Sequence, residues 1–298
     1  MDIFQNDFNP PKSAVTRVVN EALREDFEPL GDITSLLIPQ DLFGTFRVVA
    51  RASGILSGTL CLVETLHAVD EGIVLDLLLG DGSELHPGSE IAQIRGRTRS
   101  VLGAERTFLN LLSHLSGIAT LTSRFVKKAK EANGSVKILD TRKTTPGLRA
   151  LEKAAVRAGG GTNHRGNLSE AVLIKDNHMI DLSLSEAISY AKQHYPGRMV
   201  EVECDSIEQV QSAVNLLPSV ILLDNMTVEE IKQSIEIVSR TLLQIGLPKE
   251  SVLLEVSGGV SLENVYEFAA TGVNLISVGS LTHSAQVLDI ALDAVETK

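Results

Sequence analysis

The sequence predicts an α/β protein: a small α+β domain first, then a six-stranded parallel sheet whose strands alternate with helices. Three observations carry this. Apolar runs of four to six residues recur through the second half at intervals of roughly 20 to 35 residues. The segments between them are amphipathic with a helical period. The core supply is aliphatic, with 43% hydrophobic residues in a 298-residue chain, 4% aromatic and no Trp. Near-continuous apolar strands separated by helices imply a sheet covered on both faces. Six such units point to a closed or nearly closed α/β barrel, with an open doubly wound sheet as the alternative.

In chain order, Ser13 after Pro11 is placed to cap a helix with an apolar face of Val15, Val18, Val19, Ala22 and Leu23. Strand-like runs follow at Gly44–Ala50, Ile73–Leu79 and Ser89–Arg95. Gly80-Asp81-Gly82-Ser83 and His86-Pro87-Gly88 supply turns between them. A long amphipathic helix spans Gly103–Glu131 through Phe108, Leu111, Leu112, Leu115, Ile118, Ala119, Phe125 and Val126. Gly117 either weakens it or admits another backbone. The barrel strands are expected at Val136–Leu139, Ala171–Ile174, Met199–Val202, Val220–Leu223, Val252–Val256 and Leu275–Val278. Helices are expected at Ala150–Ala158, Ser206–Leu217 and Val228–Leu243.

A net charge of −11 argues against non-specific binding to nucleic acid or to an anionic membrane. No apolar run has the length of a membrane span. The N-terminus lacks a basic start and an apolar signal region. Cys61 and Cys204 lack metal-type spacing and read as reduced core residues, so a cytoplasmic protein is expected. No Gly-x-Gly-x-x-Gly follows a first strand, which weakens a dinucleotide-binding reading.

Against this acidic background the cations are locally placed. Asp140-Thr141-Arg142-Lys143-Thr144-Thr145-Pro146-Gly147-Leu148-Arg149 begins where an apolar run ends. Asn163-His164-Arg165 and Leu173-Ile174-Lys175-Asp176-Asn177-His178 follow. At least four cations thus sit on neighbouring strand–loop junctions, which suits a substrate with more than one acid group. The later strand ends carry Glu201 and Glu203, Asp224-Asn225, Glu255 with Ser257-Gly258-Gly259, and Gly279-Ser280. Asp224-Asn225 alone would also fit a helix cap. Six polar strand ends in succession fit a barrel mouth better. Glycines after the last two strands let backbone N–H groups approach a phosphate. Carboxylates between cations and phosphate act through Mg²⁺ or on a cation formed in the reaction. His67, His86 and His194 read as surface or turn residues, whereas His178 and His283 lie beside strand ends.

These segments resemble the quinolinate phosphoribosyltransferase family. Thr141-Arg142-Lys143-Thr144-Thr145-Pro146-Gly147, Asn163-His164-Arg165 and Leu173-Ile174-Lys175-Asp176-Asn177-His178 carry the resemblance. Gly31-Asp32-Ile33-Thr34-Ser35, Glu105-Arg106-Thr107-Phe108-Leu109-Asn110 and Ser116-Gly117-Ile118-Ala119-Thr120 extend it. So do Leu222-Leu223-Asp224-Asn225-Met226, Glu255-Val256-Ser257-Gly258-Gly259-Val260 and Ile276-Ser277-Val278-Gly279-Ser280-Leu281-Thr282-His283. Asn167 stands where the pattern has Gly.

The resemblance implies an N-terminal α/β (α+β) sandwich-like domain over residues 1–115. An open, six-stranded parallel α/β barrel would follow over 116–298, with the last helix packing back on the first domain. It implies transfer from 5-phosphoribosyl 1-pyrophosphate to quinolinate with Mg²⁺, giving nicotinate mononucleotide, CO₂ and pyrophosphate for NAD synthesis. Arg106, Arg142, Arg165 and Lys175 would hold the two carboxylates, helped by Thr141 and His164. Lys143, Glu203 and Asp224 would meet the ribose pyrophosphate, with Glu203 and Asp224 at the metal. Lys143, Lys175, Glu203 and Asp224 would be catalytic. Ser257, Gly258, Gly259, Val278, Gly279 and Ser280 would hold the 5-phosphate. A homodimer or multiple of dimers with shared sites is implied, Arg106 reaching a neighbouring subunit's barrel. Two other classes stay open: a Schiff-base barrel aldolase using Lys175, and a same-fold relative with another acceptor or a non-catalytic binder.

Overall fold

The computed structural model of the chain describes residues 8–295. The elements run α1 (Lys12–Phe27), β1 (Phe43–Ala50), β2 (Gly54–Ile55), α2 (Thr59–Val69), β3 (Val74–Leu77), β4 (Glu84–Leu85) and β5 (Glu90–Arg97). Then come α3 (Thr98–Ala132), β6 (Lys137–Leu139), α4 (Arg149–Ala158), β7 (Ala171–Ile174), α5 (Leu184–His194), β8 (Met199–Cys204) and α6 (Ile207–Val214). The chain closes with β9 (Val220–Asp224), α7 (Val228–Gln244), β10 (Leu253–Ser257), α8 (Val265–Ala270), β11 (Leu275–Ser277), α9 (Ser280–His283) and β12 (Ile290–Ala294). These elements divide between two compact units.

The first unit takes the chain up to Ser123, Thr144–Gly160 and the chain from Leu281. Its sheet runs β12-β1-β5-β3, antiparallel throughout. Phe46, Val48 and Ala50 alternate onto the core face of β1, beside Leu62, Leu66, Ile91, Ile94, Phe108 and Leu112. Two expectations are corrected here. The first helix begins at Lys12 with Pro11 in the cap position, and Ser13 lies inside it. Proline's fixed φ suits that helix start without a side-chain cap. The expected last helix is instead strand β12, paired with β1 from Phe46↔Ala294 to Ala50↔Ile290. Leu288, Ile290 and Leu292 meet the core at every second residue, a strand period that a helical reading of so short a tail overlooks. At Gly117 in α3 an added Cβ would lie 2.1 Å from the Gln286 carbonyl oxygen. The glycine therefore admits another backbone.

The second unit takes Arg124–Lys143 and Gly161–Ser280. Its six strands are all parallel, in the order β6-β11-β10-β9-β8-β7. All six lie where the apolar runs place them. Among the described residues β6 and β7 do not pair with each other, and one isolated bridge, Leu139↔Thr162, lies beyond the β6 edge. This is the open form of the barrel. β9 is buried from Val220 to Leu223, as strands covered on both faces must be. Capping boxes start two of the covering helices, Ser183 with Glu186 at α5 and Thr227 with Glu230 at α7. Since Thr227 caps α7, Asp224 and Asn225 are released from that duty. Parallel register aligns the strand ends: Ser257 lies beside Asp224, and Ser277 beside Leu139. Consequently the polar residues that follow these strands emerge at one end of the sheet.

Cys61 and Cys204 are free and buried, and burial pushes both thiols up to about 12. Such thiols are inert at neutral pH. Among the described residues no helix is long and apolar enough to cross a membrane.

Candidate active site

One cavity of about 600 Å³ opens at the carboxyl end of the second unit's sheet. Thr141, Arg142, Lys143, His164, Arg165 and Lys175 line one part of it. Glu203, Asp224, Asn225, Ser257, Gly258 and Gly259 line the other, with Glu255 and Ser277 also in the wall. Cations, carboxylates and a glycine-rich loop are thereby gathered around one space.

Each group is held locally. Asp140, wholly buried at the end of β6, accepts from Asn163 Nδ2 at 2.6 Å and from the His164 backbone N–H at 2.8 Å. It thereby ties the His164 loop to the strand end that leads into Thr141-Arg142-Lys143. Thr141 Oγ1 accepts from the Lys143 backbone N–H at 3.0 Å, which tightens that turn. Arg165 Nη1 donates to the Ala171 carbonyl at 3.0 Å. Burial, followed by the neighbouring Arg142 charge, holds the Arg165 guanidinium below its ordinary range. An anion between these two arginines relieves that strain.

Lys175 Nζ forms a close ion pair with Glu203 Oε2, bridging β7's end to β8. Its backbone N–H donates to His178 Nδ1 at 3.0 Å, so exposed His178 has a structural contact. Asp224 Oδ2 accepts from Asn225 Nδ2 at 2.7 Å. Asn225 adopts positive φ (55°), and its N–H donates to the Ser257 carbonyl at 2.9 Å. Gly258 has φ +89°, and a Cβ there would lie 2.2 Å from Asn225 Oδ1. Only glycine fits this crossing of the two loops.

Some expected residues lie elsewhere. Arg106 is exposed on α3 in the first unit and is not part of this lining. Val278 is buried, and Gly279 and Ser280 continue the chain beyond Ser277 without appearing in the cavity wall. His67, His86, His194 and His283 are exposed.

Two features escaped the sequence reading. His164 Nε2 lies 3.0 Å from Glu201 Oε2 and 3.6 Å from Glu255 Oε1, forming a buried acidic layer beneath the mouth. The signal was a glutamate within an apolar strand, Glu201 between Val200 and Val202 and Glu255 between Leu254 and Val256. In the first unit, His114 Nε2 lies 2.9 Å from Oε1 of wholly buried Glu152, whose Oε2 accepts from the Thr145 N–H at 3.1 Å.

Comparison with known proteins agrees with this geometry. Residues 32–116 match the family described as quinolinate phosphoribosyl transferase, N-terminal domain, and 118–293 match its C-terminal domain. The nicotinate-nucleotide pyrophosphorylase [carboxylating] of Mycobacterium leprae is 38% identical, covering 96% of this chain and 98% of that protein. A probable enzyme of the same name from Bacillus subtilis is 40% identical, covering 93% and 92%. The solved nicotinate-nucleotide pyrophosphorylase of Francisella tularensis superposes with a TM-score of 0.88 at 35% identity, covering 96% of this chain and 98% of its own. With both halves of the chain matched and its length shared with these relatives, the protein belongs to the quinolinate phosphoribosyltransferase family.

Proposed function

We propose that this chain transfers a phosphoribosyl group from 5-phosphoribosyl 1-pyrophosphate to quinolinate and releases CO₂, giving nicotinate mononucleotide and pyrophosphate. The observation that carries this is the shared cavity, where Arg142, Lys143, Arg165 and Lys175 meet Glu203 and Asp224. A planar diacid has its match in the two arginines and Lys175. Thr141 and His164 complete that wall, and Lys143 is assigned to the pyrophosphate. The 5-phosphate is assigned to Ser257, Gly258 and Gly259, with Val278, Gly279 and Ser280 on its far side.

The chemistry follows from these placements. The quinolinate nitrogen bonds to the sugar's anomeric carbon as the bond to pyrophosphate breaks. Positive charge develops on the sugar, where Glu203 and Asp224 stabilise it. The adjacent carboxylate then leaves as CO₂, its bonding pair remaining on the ring carbon beside the quaternary nitrogen. The Lys and Arg cations of the wall stabilise that pair until a proton arrives. Glu203 and Asp224 are an oxygen-only donor pair on one cavity wall, which fits a hard divalent cation. Mg²⁺ bound there would neutralise charge on the pyrophosphate.

Quinolinate absorbance should fall only when 5-phosphoribosyl 1-pyrophosphate and Mg²⁺ are both supplied. Borohydride trapping of a carbonyl substrate on Lys175 would favour the aldolase reading instead; its ion pair with Glu203 speaks for substrate binding.

We assign the active form to a cytoplasmic homodimer or a multiple of it, with Arg106 of one copy reaching the cavity of another. Arg106→Ala and Lys175→Ala should each be nearly inactive alone. Mixed and allowed to exchange subunits, they should regain up to about a quarter of wild-type activity, since half the copies pair as heterodimers with one intact site in two. Demonstrated exchange without recovered activity would place Arg106 in its own chain's service.

A further inference from the structure

We propose that Asn225 is a positioning residue for the transfer: its side-chain amide aims the Asp224 carboxylate at the sugar, and its backbone locks that strand end to the Gly258 loop. The inference rests on the phosphoribosyl-transfer reading and adds one residue to it.

The local chain forces a tight turn here. β9 ends at Asp224 and Thr227 already caps α7, so only Asn225 and Met226 are left to redirect the chain. Leu223 and Met226 on either side are buried, at 0% and 5% exposed, which fixes where the turn begins and ends. Asn225 makes it with φ 55°, one of two non-glycine residues of positive φ among the described residues. Glycine adopts that region most readily, so the turn alone does not call for an amide. The contacts of the amide do.

Asn225 Nδ2 donates to Asp224 Oδ2 at 2.7 Å. A carboxylate offers no donor, so the amide nitrogen faces it and the amide oxygen does not. The bond ties one Asp224 oxygen back to the turn and leaves the other to a ligand in the cavity, whose wall both residues line. On its other side the amide lies across Gly258. A Cβ there would come within 2.2 Å of Asn225 Oδ1 and 3.0 Å of the Asn225 backbone nitrogen. That nitrogen donates to the Ser257 carbonyl at 2.9 Å, and Ser257 stands beside Asp224 in the parallel register. Asn264 Nδ2 braces the far side of the loop by donating to the Gly259 carbonyl at 2.9 Å.

One residue thus holds two things at a fixed spacing: the carboxylate assigned to the sugar and the loop assigned to the 5-phosphate. Phosphate and anomeric carbon belong to one ribose. A phosphate seated on Gly258 and Gly259 therefore brings the anomeric carbon to Asp224 only if that spacing is kept.

Steady-state kinetics and calorimetric binding of quinolinate, on full-length variants, test this. Asn225→Gly keeps the turn's φ and removes the amide. Its kcat should fall roughly 10- to 100-fold, the scale of a misplaced reacting group, while quinolinate Kd stays within about twofold and the thermal midpoint stays close to wild type. Asn225→Asp keeps the shape and tolerates the same φ, but sets an acceptor against Asp224 and should lose at least as much. A merely structural role would cost the same factor whatever stands at position 224. In the Asp224→Asn background, by contrast, Asn225→Gly should lower kcat by less than about threefold, since no charge is left to aim. Equal factors in the two backgrounds overturn the inference, as does quinolinate affinity lost in step with kcat, or Asn225→Asp turning over at the wild-type rate. If Asn225→Gly fails to fold, Asn225→Asp in the same two backgrounds decides. Absence of turnover by the wild type would instead fail the phosphoribosyl-transfer reading, and this inference with it.

Discussion

Nicotinate is expected to be a very poor substitute for quinolinate, with kcat/KM lower by a factor on the order of 10²–10³. Arg142, Lys143, Arg165 and Lys175 share one cavity, and Glu203 answers Lys175. A single carboxylate cannot match the rest. Arg165 is already disfavoured as a cation by burial and by Arg142. Leaving such a charge without its anion costs on the order of 2–5 kcal/mol, a range that brackets the factor above. Steady-state kinetics with both pyridine acids at saturating 5-phosphoribosyl 1-pyrophosphate measure this. Comparable efficiencies would mean that the cation cluster does not read the second carboxylate.

Glu203→Gln and Asp224→Asn are expected to act on the chemical step. Both substitutions preserve shape and remove charge from the wall assigned to the sugar. If that charge stabilises the developing cation, kcat should fall by roughly 10²–10⁴, the range seen when a preorganised electrostatic group is lost. Quinolinate Kd should change only a few-fold. The Glu203 variant needs its own control because it also releases Lys175 from an ion pair. Asp224, which accepts from Asn225 Nδ2, forms no ion pair among the described residues and gives the cleaner result. A loss of quinolinate affinity with kcat intact would move both residues to the diacid subsite.

The barrel was legible because its strands are buried on both faces. Runs such as Val220-Ile221-Leu222-Leu223 have no amphipathic ambiguity, and polar residues at their ends stand out against them. The cation junctions at Arg142, Arg165 and Lys175 were legible for the same reason. Strand β12 was not, since five residues at a chain end carry too little period to separate helix from strand. The cap at Pro11 was misplaced by two residues because Ser13 offers a good capping side chain that the fold does not use. The Glu201–Glu255–His164 layer required sheet order. Glu201 and Glu255 lie on β8 and β10 with β9 between them, and only the register shows that both approach one imidazole. The His114–Glu152 contact joins two helices 38 positions apart and left no local mark in the sequence.

Quinolinate carrying an isotopic label in the carboxylate next to the ring nitrogen tests the central claim most directly. Incubated with this protein, 5-phosphoribosyl 1-pyrophosphate and Mg²⁺, it should release labelled CO₂ in equal amount to pyrophosphate and leave an unlabelled nicotinate mononucleotide. Label retained in the nucleotide, or CO₂ released without pyrophosphate, would contradict phosphoribosyl transfer coupled to decarboxylation.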